Sequence, residues 1–364
     1  MVMRFAIVIA ILFFGFIFMF YDSGSPAIRP IAGKVTDPIL LPVIDKFADA
    51  VDANPSQPNP RMQLGMTYEG AGLSQLAEAT YAQYVEQFPE RLIGWYRVAI
   101  VQHRMGEVEK AIQSLENATE VAGEKMDAPH WQLGFWYIDV GNFEGAAKQV
   151  AIADSKRSNS VQVQIARGRI ALETGDPESA IEILDNNRLI EQIPDGYVYQ
   201  LLGRAYRATG DEEKSREAWN RAGQKKPKWA DPWTKNVVTH TVGLDVMRQE
   251  ILKHMRAGEF EMARQLIDEY LAFDKETLAI RRLDAACDLE QRKIGSALEK
   301  YAILLSENPK DTFTMRLLAT LRMRTKQFQS PEEVEITRGI LDTIFTMTPD
   351  DEKAKALLDR LPTK

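Results

Sequence analysis

The stretch Tyr199-Gln-Leu-Leu202-Gly203-Arg-Ala-Tyr206-Arg-Ala-Thr-Gly210-Asp-Glu-Glu-Lys-Ser215-Arg-Glu-Ala-Trp219 reads as two helices parted by one glycine. Gly210 suits the left-handed residue that closes a helix at little steric cost. The acidic residues after it suit the start of the next helix, where exposed amide N–H groups welcome negative charge. Ser215, being small, lets the second helix press closely on the first. Working outward, the same glycine recurs at Gly72, Gly106, Gly141 and Gly175, in steps of 34 or 35 residues. Ala77, Ala111, Ala146 and Ala180 recur in step with it, at the place of Ser215. Two features locked to one period indicate a repeated helix–turn–helix, and the fold class is therefore all-α.

Each unit carries further marks. The first has Leu64-Gly65, Tyr68, Ala77, Tyr81 and Pro89; the second Trp95, Val98-Ala99, Ala111 and Leu115. The third has Leu133-Gly134, Tyr137, Ala146 and Val150; the fourth Gly168, Ala171, Ala180 and Leu184. The fifth has Leu202-Gly203, Tyr206, Ser215, Trp219 and Pro227. This set resembles the tetratricopeptide repeat, whose pattern is W-x2-L-G-x2-Y, then A-x3-F, then P. The resemblance implies a right-handed superhelical solenoid over residues 58 to 360, with the first helix of each repeat lining a concave groove.

The register slips after Gly210, since the next turn glycine, Gly258, follows 48 residues later. Pro227-Lys-Trp229-Ala-Asp-Pro232-Trp233 reads as a joint between two arrays. Ala263 with Ile267, and Ala297 with Tyr301 and Pro309, resume the pattern. A degenerate unit follows near Leu318 and Ala319, its second helix around Thr337 to Phe345, before a closing helix from Lys353 to Leu361. The expected organisation is repeats one to five over 58–229, joint and further repeats over 230–311, and a degenerate repeat with cap over 312–364.

Before the repeats, Phe5 to Tyr21 is an unbroken apolar run, about the shortest length that crosses a bilayer. Its end, Phe18-Met-Phe-Tyr-Asp22, is bulky, and Ser25-Pro26-Ala27 is only a weak small-x-small cleavage site, so residues 1–21 are expected to be an uncleaved signal anchor, with a removed signal peptide the alternative. No cysteine lies nearby, so a lipoprotein is excluded. A short amino-terminal tail usually stays in the cytoplasm. The body is then expected outside the inner membrane of a bacterium. Residues 22–57 form a spacer, interrupted by Pro26, Pro30, Pro38, Pro42, Pro55, Pro58 and Pro60. Within it Val43, Ile44, Phe47, Ala48 and Val51 share one helical face and predict a short helix docking on the first repeat.

The net charge of −7 argues against nucleic acid, which rewards clustered cations. Four histidines, at 103, 130, 240 and 254, share no metal-ligand spacing, and the lone Cys287 forms no internal disulfide. No nucleophile–base, zinc or phosphate-loop motif is present, so neither an enzyme nor a cofactor is expected. Family geometry assigns Tyr96, His103, Arg104, Trp131, Phe135, Arg169, Tyr197, Arg204 and Arg207 to the groove. Arginine and aromatic residues are enriched at binding hot spots. They imply protein or peptide partners, some of acidic character. The chaperone-binding members use a Lys and Asn pair within one helix, and no repeat here has it. The expected function is a membrane-anchored interaction scaffold. The alternatives are an envelope assembly factor, as in c-type cytochrome maturation, and a self-assembling homo-oligomer.

Overall fold

The computed structural model describes residues 24–124, 126–186, 189, 196–222, 233–325 and 330–362. The expected anchor over 1–21 and the joint residues 227–232 lie outside them. Among the described residues there are nineteen α-helices and no strand, and no helix is long and apolar enough to cross a membrane. The chain divides into two units, Met1–Thr36 with Leu40–Thr241, and Asp37–Ile39 with Val242–Lys364.

In the first unit α1 (Leu40–Ala53) is followed by five hairpins. They are α2 (Pro58–Gly70) with α3 (Ser74–Gln87), α4 (Leu92–Arg104) with α5 (Val108–Glu120), and α6 (Ala128–Asp139) with α7 (Phe143–Lys156). Then come α8 (Val161–Glu173) with α9 (Pro177–Leu184), and α10 (Tyr197–Ala208) with α11 (Glu212–Arg221). A short α12 (Thr234–Val238) closes the unit. The second unit holds α13 (Leu244–Ala257) with α14 (Phe260–Phe273), α15 (Leu278–Glu290) with α16 (Ile294–Glu307), α17 (Thr312–Met323) with α18 (Pro331–Met347), and α19 (Glu352–Leu358).

The hairpins form for the reason the period suggests. Gly141, Gly175 and Gly210 have φ of 79°, 86° and 82°, the left-handed region that glycine enters without a Cβ penalty. At each turn the amide after the glycine donates back across the helix end. Asn142 N reaches Tyr137 O at 2.8 Å, and Asp211 N reaches Tyr206 O at 2.9 Å. The same residues then cap the next helix, the Asn142 and Asp211 side chains accepting from Gly145 N and Lys214 N at 3.0 Å. Inside the hairpins the second glycine position is a contact point. A Cβ on Gly134 would lie 2.7 Å from Val150, and one on Gly168 would lie 2.5 Å from Leu184. The A-x3-F residue of the second helix thus fills the hole left by the first helix's missing side chain.

Stacking then buries what one hairpin leaves open. One apolar cluster joins Tyr96, Ala99, Leu115, Leu133 and Trp136 across α4, α5 and α6. A larger one runs from α6 to α11 through Trp131, Val150, Ile165, Leu184, Leu202 and Ala218. In the second unit Ile251, Ile267, Ile280 and Cys287 form one cluster, Tyr301, Leu304 and Leu318 a second, and Leu341 and Ile344 a third. There the turn of the α15–α16 hairpin is made by Arg292, a non-glycine at φ 60°, with Lys293 N donating to Asp288 O at 2.8 Å.

The docking helix is present as α1, with Leu40, Ile44, Ala48 and Val51 buried against α2. The residues before it are more than a spacer. Tyr68 Oη donates to Ile28 O at 2.7 Å, and Arg61, almost fully buried, donates to Ser25 O. Arg29 reaches Asp49 at 2.7 Å, Asp52 at 2.8 Å and Asp45 at 3.4 Å along the outer face of α1. Residues 25–29 therefore lie along the first hairpin as a strap.

Candidate partner-binding face

The first helices of neighbouring hairpins touch, α6 on α8 and α8 on α10, so their side chains share one face. Of the residues read as groove-lining, Trp131, Phe135, Arg169, Tyr197, Arg204 and Arg207 lie on these three helices and Tyr96, His103 and Arg104 on α4, and they differ in access. Tyr96 is fully buried, and Trp131, Phe135 and Tyr197 are nearly so. Trp131 meets Phe135 edge-on with ring centroids 6.2 Å apart. Burial pushes the Tyr197 hydroxyl pKa up, keeping it neutral. His103 is exposed and stacks flat on Trp136, centroids 4.4 Å apart.

Most of the arginines are already paired. Arg169 donates to Asp139 at 2.8 Å and lies 5.8 Å from the Phe135 ring centroid. Arg204 pairs with Glu173 at 2.9 Å and Arg104 with Glu69 at 3.1 Å. Arg207 is exposed and pairs with no described carboxylate. The acidic partners sit one hairpin earlier on the preceding first helix, so neighbouring repeats neutralise one another's charge.

Two features escaped the reading of the sequence. Glu69 is buried and accepts from Arg97, from Arg104 and from Tyr81 Oη at 3.0 Å. An ion pair so enclosed needs all its partners, because an unpaired buried charge is costly. The second is an occupant. Trp233, read as part of a joint, packs against both apolar clusters of the first unit, its ring 4.6 Å from that of Tyr96. The helix α12 behind it lies on α2. Its Val237 is buried, and His240 sits 5.9 Å from Phe47 of α1. At its end Thr241 comes so near Gly70 that a Cβ there would lie 2.7 Å from Thr241 Oγ1 and 3.0 Å from its Cα. The signal for this element was the broken period, which marks extra chain but not where that chain goes.

Among the described residues no three of His, Cys, Asp and Glu are grouped to hold a metal ion. Cys287 is fully buried, and burial pushes its thiol pKa up, away from the reactive thiolate. The second unit has an apolar cavity of about 380 Å³ between α17 and α19, lined by Phe313, Leu317 and Leu357 and edged by Arg316, Lys353 and Arg360.

These paired helices and their turns have a counterpart among known sequences. Over residues 62–127 the chain matches the tetratricopeptide repeat. The matched stretch runs from Met62 of α2 to the residue before α6, and the next three hairpins, α6–α7, α8–α9 and α10–α11, carry turn glycines at Gly141, Gly175 and Gly210 and glycine-to-side-chain contacts at Gly134, Gly168 and Gly203. No curated protein matches the chain. Among solved structures, YrrB, described as a tetratricopeptide protein with an unusual peptide-binding site, is 16% identical. It covers 49% of this chain and 91% of its own, with a TM-score of 0.42. A tetratricopeptide repeat protein from Parabacteroides merdae is 16% identical over 68% of this chain and 92% of its own, with a TM-score of 0.43. MamA is 17% identical over 45% and 88%, with a TM-score of 0.40.

Proposed function

We propose that the chain is a membrane-anchored adaptor that gathers partner proteins by holding peptide segments on the first-helix face of its leading hairpins. The observation that supports this most is that the face already seats non-repeat chain: Trp233 rests on Tyr96, and α12 on α2. A surface lined by aromatic rings and able to seat an indole suits apolar anchors, which carry most of the energy at protein interfaces. The apolar run from Phe5 to Tyr21 supplies the anchor, and the inner membrane of a bacterium, with the body on its outer side, is the proposed location. Arg104, Arg204 and Arg207 are exposed arginines on the first helices and favour acidic segments.

Chemical cross-linking of the tagged full chain in membranes, followed by mass spectrometry of what is captured, tests the reading. A defined partner is expected. Arg204→Glu together with Arg207→Glu is expected to lower its recovery at least tenfold. Recovery unchanged by that double reversal would move the contact off this face. Sedimentation of the chain with soluble protein rather than membrane would remove the anchor from the proposal.

A further inference from the structure

We infer that Trp233–Thr241 is a built-in occupant of this face, which a partner segment must displace by offering an aromatic side chain of its own. The inference rests on the adaptor reading and adds to it the kind of segment recognised and a control on access.

Three observations carry it. First, the segment is surplus to the stack. Turn glycines step by 34 or 35 residues up to Gly210, then by 48 to Gly258, and Trp233–Thr241 falls within the excess. Second, α12 is five residues long, far too short to hold a helix by itself. Its shape depends on where it is seated. Trp233 and Val237 are its anchors, whereas Val238 is 63% exposed and Lys235 and Asn236 face solvent. Third, the seat is specific. Tyr96 takes the indole ring, and the absent side chain of Gly70 admits the backbone of Thr241. An aromatic residue followed by a short turn of helix is thus the chemistry the face accepts, and the chain supplies one copy itself. A ligand of the same chemistry competes for the same seat, and its apparent affinity falls by the fraction of molecules in which the seat is taken.

The test uses a fluorescein-labelled peptide of residues 233–239, Trp-Thr-Lys-Asn-Val-Val-Thr, which stops short of Thr241, titrated by anisotropy against the full chain. Two variants open the seat from opposite sides. Trp233→Ala removes the internal anchor. Gly70→Leu drives a side chain into Thr241 while leaving Trp233 and Tyr96 intact, at a helical position free of backbone strain. Both are expected to bind the peptide at least tenfold more tightly than wild type, and Trp233→Phe, which keeps a ring, is expected to stay near the wild-type level. A peptide with its Trp replaced by Ala is expected not to bind. Should one variant fail to fold by circular dichroism, the other decides. Equal affinity for wild type and the folded variants overturns the inference. Failure of the adaptor reading looks different: cross-linking then recovers no partner from wild type or from either variant. If only the built-in occupant is wrong, a partner is recovered equally from all three.

Discussion

His130 shows how a single buried residue ties stability to pH. It is nearly enclosed at the start of α6, with Nδ1 2.8 Å from Gln149 Oε1. Burial pulls its pKa below the ordinary histidine value and outweighs the Gln149 hydrogen bond, with Lys156 lowering it further and Asp127 opposing. The unfolded chain therefore takes up a proton at a higher pH than the folded one. Stability is full above the unfolded pKa of about 6.5 and falls as the pH drops below it. The slope is at most about 1.4 kcal/mol per pH unit for one proton. Urea titrations at pH 7.5 and 5.5 should show a loss on acidification that shrinks in His130→Gln, and equal losses in the two chains would show that His130 is not responsible. Asp288 has the same sign, because its folded pKa is also depressed and its contribution is lost on acidification, at a lower pH. Burial pushes its carboxyl up, but hydrogen bonds from Lys300, Ser296 and Arg264 prevail and bring it down to about 2. None of these networks was legible in the sequence. Their partners lie one or two helices apart, and a charged residue on a helix carries no mark of whether a neighbour will bury it.

At the scale of the element, glycines separate by what their missing side chain does. Gly141 turns the chain at φ 79° with open space around it, so an added methyl costs backbone strain and nothing else. Gly339 lies in the middle of α18 in helical conformation, also in open space. Gly141→Ala is expected to destabilise by about 1 kcal/mol, and Gly339→Ala to stabilise by about 0.5–1 kcal/mol. Chemical denaturation of the two variants checks this, and shifts of the same sign would refute the assignment. Turn glycines made the fold readable because a left-handed residue leaves a fixed trace in the sequence. Where Arg292 takes that conformation the trace vanishes, and the pattern there had to be found from Ala297 and Tyr301 instead. The strap was missed for a related reason. Its prolines read as helix breakers, whereas its fixing bonds come from Arg61 and Tyr68 to backbone carbonyls that no side chain announces.

Over the whole molecule, each unit is a stack in which a hairpin meets its neighbours, so damage is expected to stay near its source. Leu133 is fully buried in the cluster shared by α4, α5 and α6. Leu133→Ala is expected to cost about 2–5 kcal/mol locally. Hydrogen exchange should quicken in α4 to α7 and stay unchanged in α14 to α16 of the second unit. Faster exchange throughout both units would mean that the stacks unfold as one body. The candidate face was legible in part at this scale. Family geometry put Tyr96, Trp131, Phe135 and Tyr197 on the first helices, where they are, but the pattern had no place for Trp233, because an insertion breaks the periodicity on which the reading depends. The strap over residues 25–29 has a consequence for reach. A coil of some thirty residues would let the first hairpin roam several nanometres from its point of attachment. With Ser25, Ile28 and Arg29 pinned to α1 and α2, that leash is reeled in, and whatever holds the chain upstream of Gly24 also holds the first hairpin close by, raising the local concentration of anything it captures there.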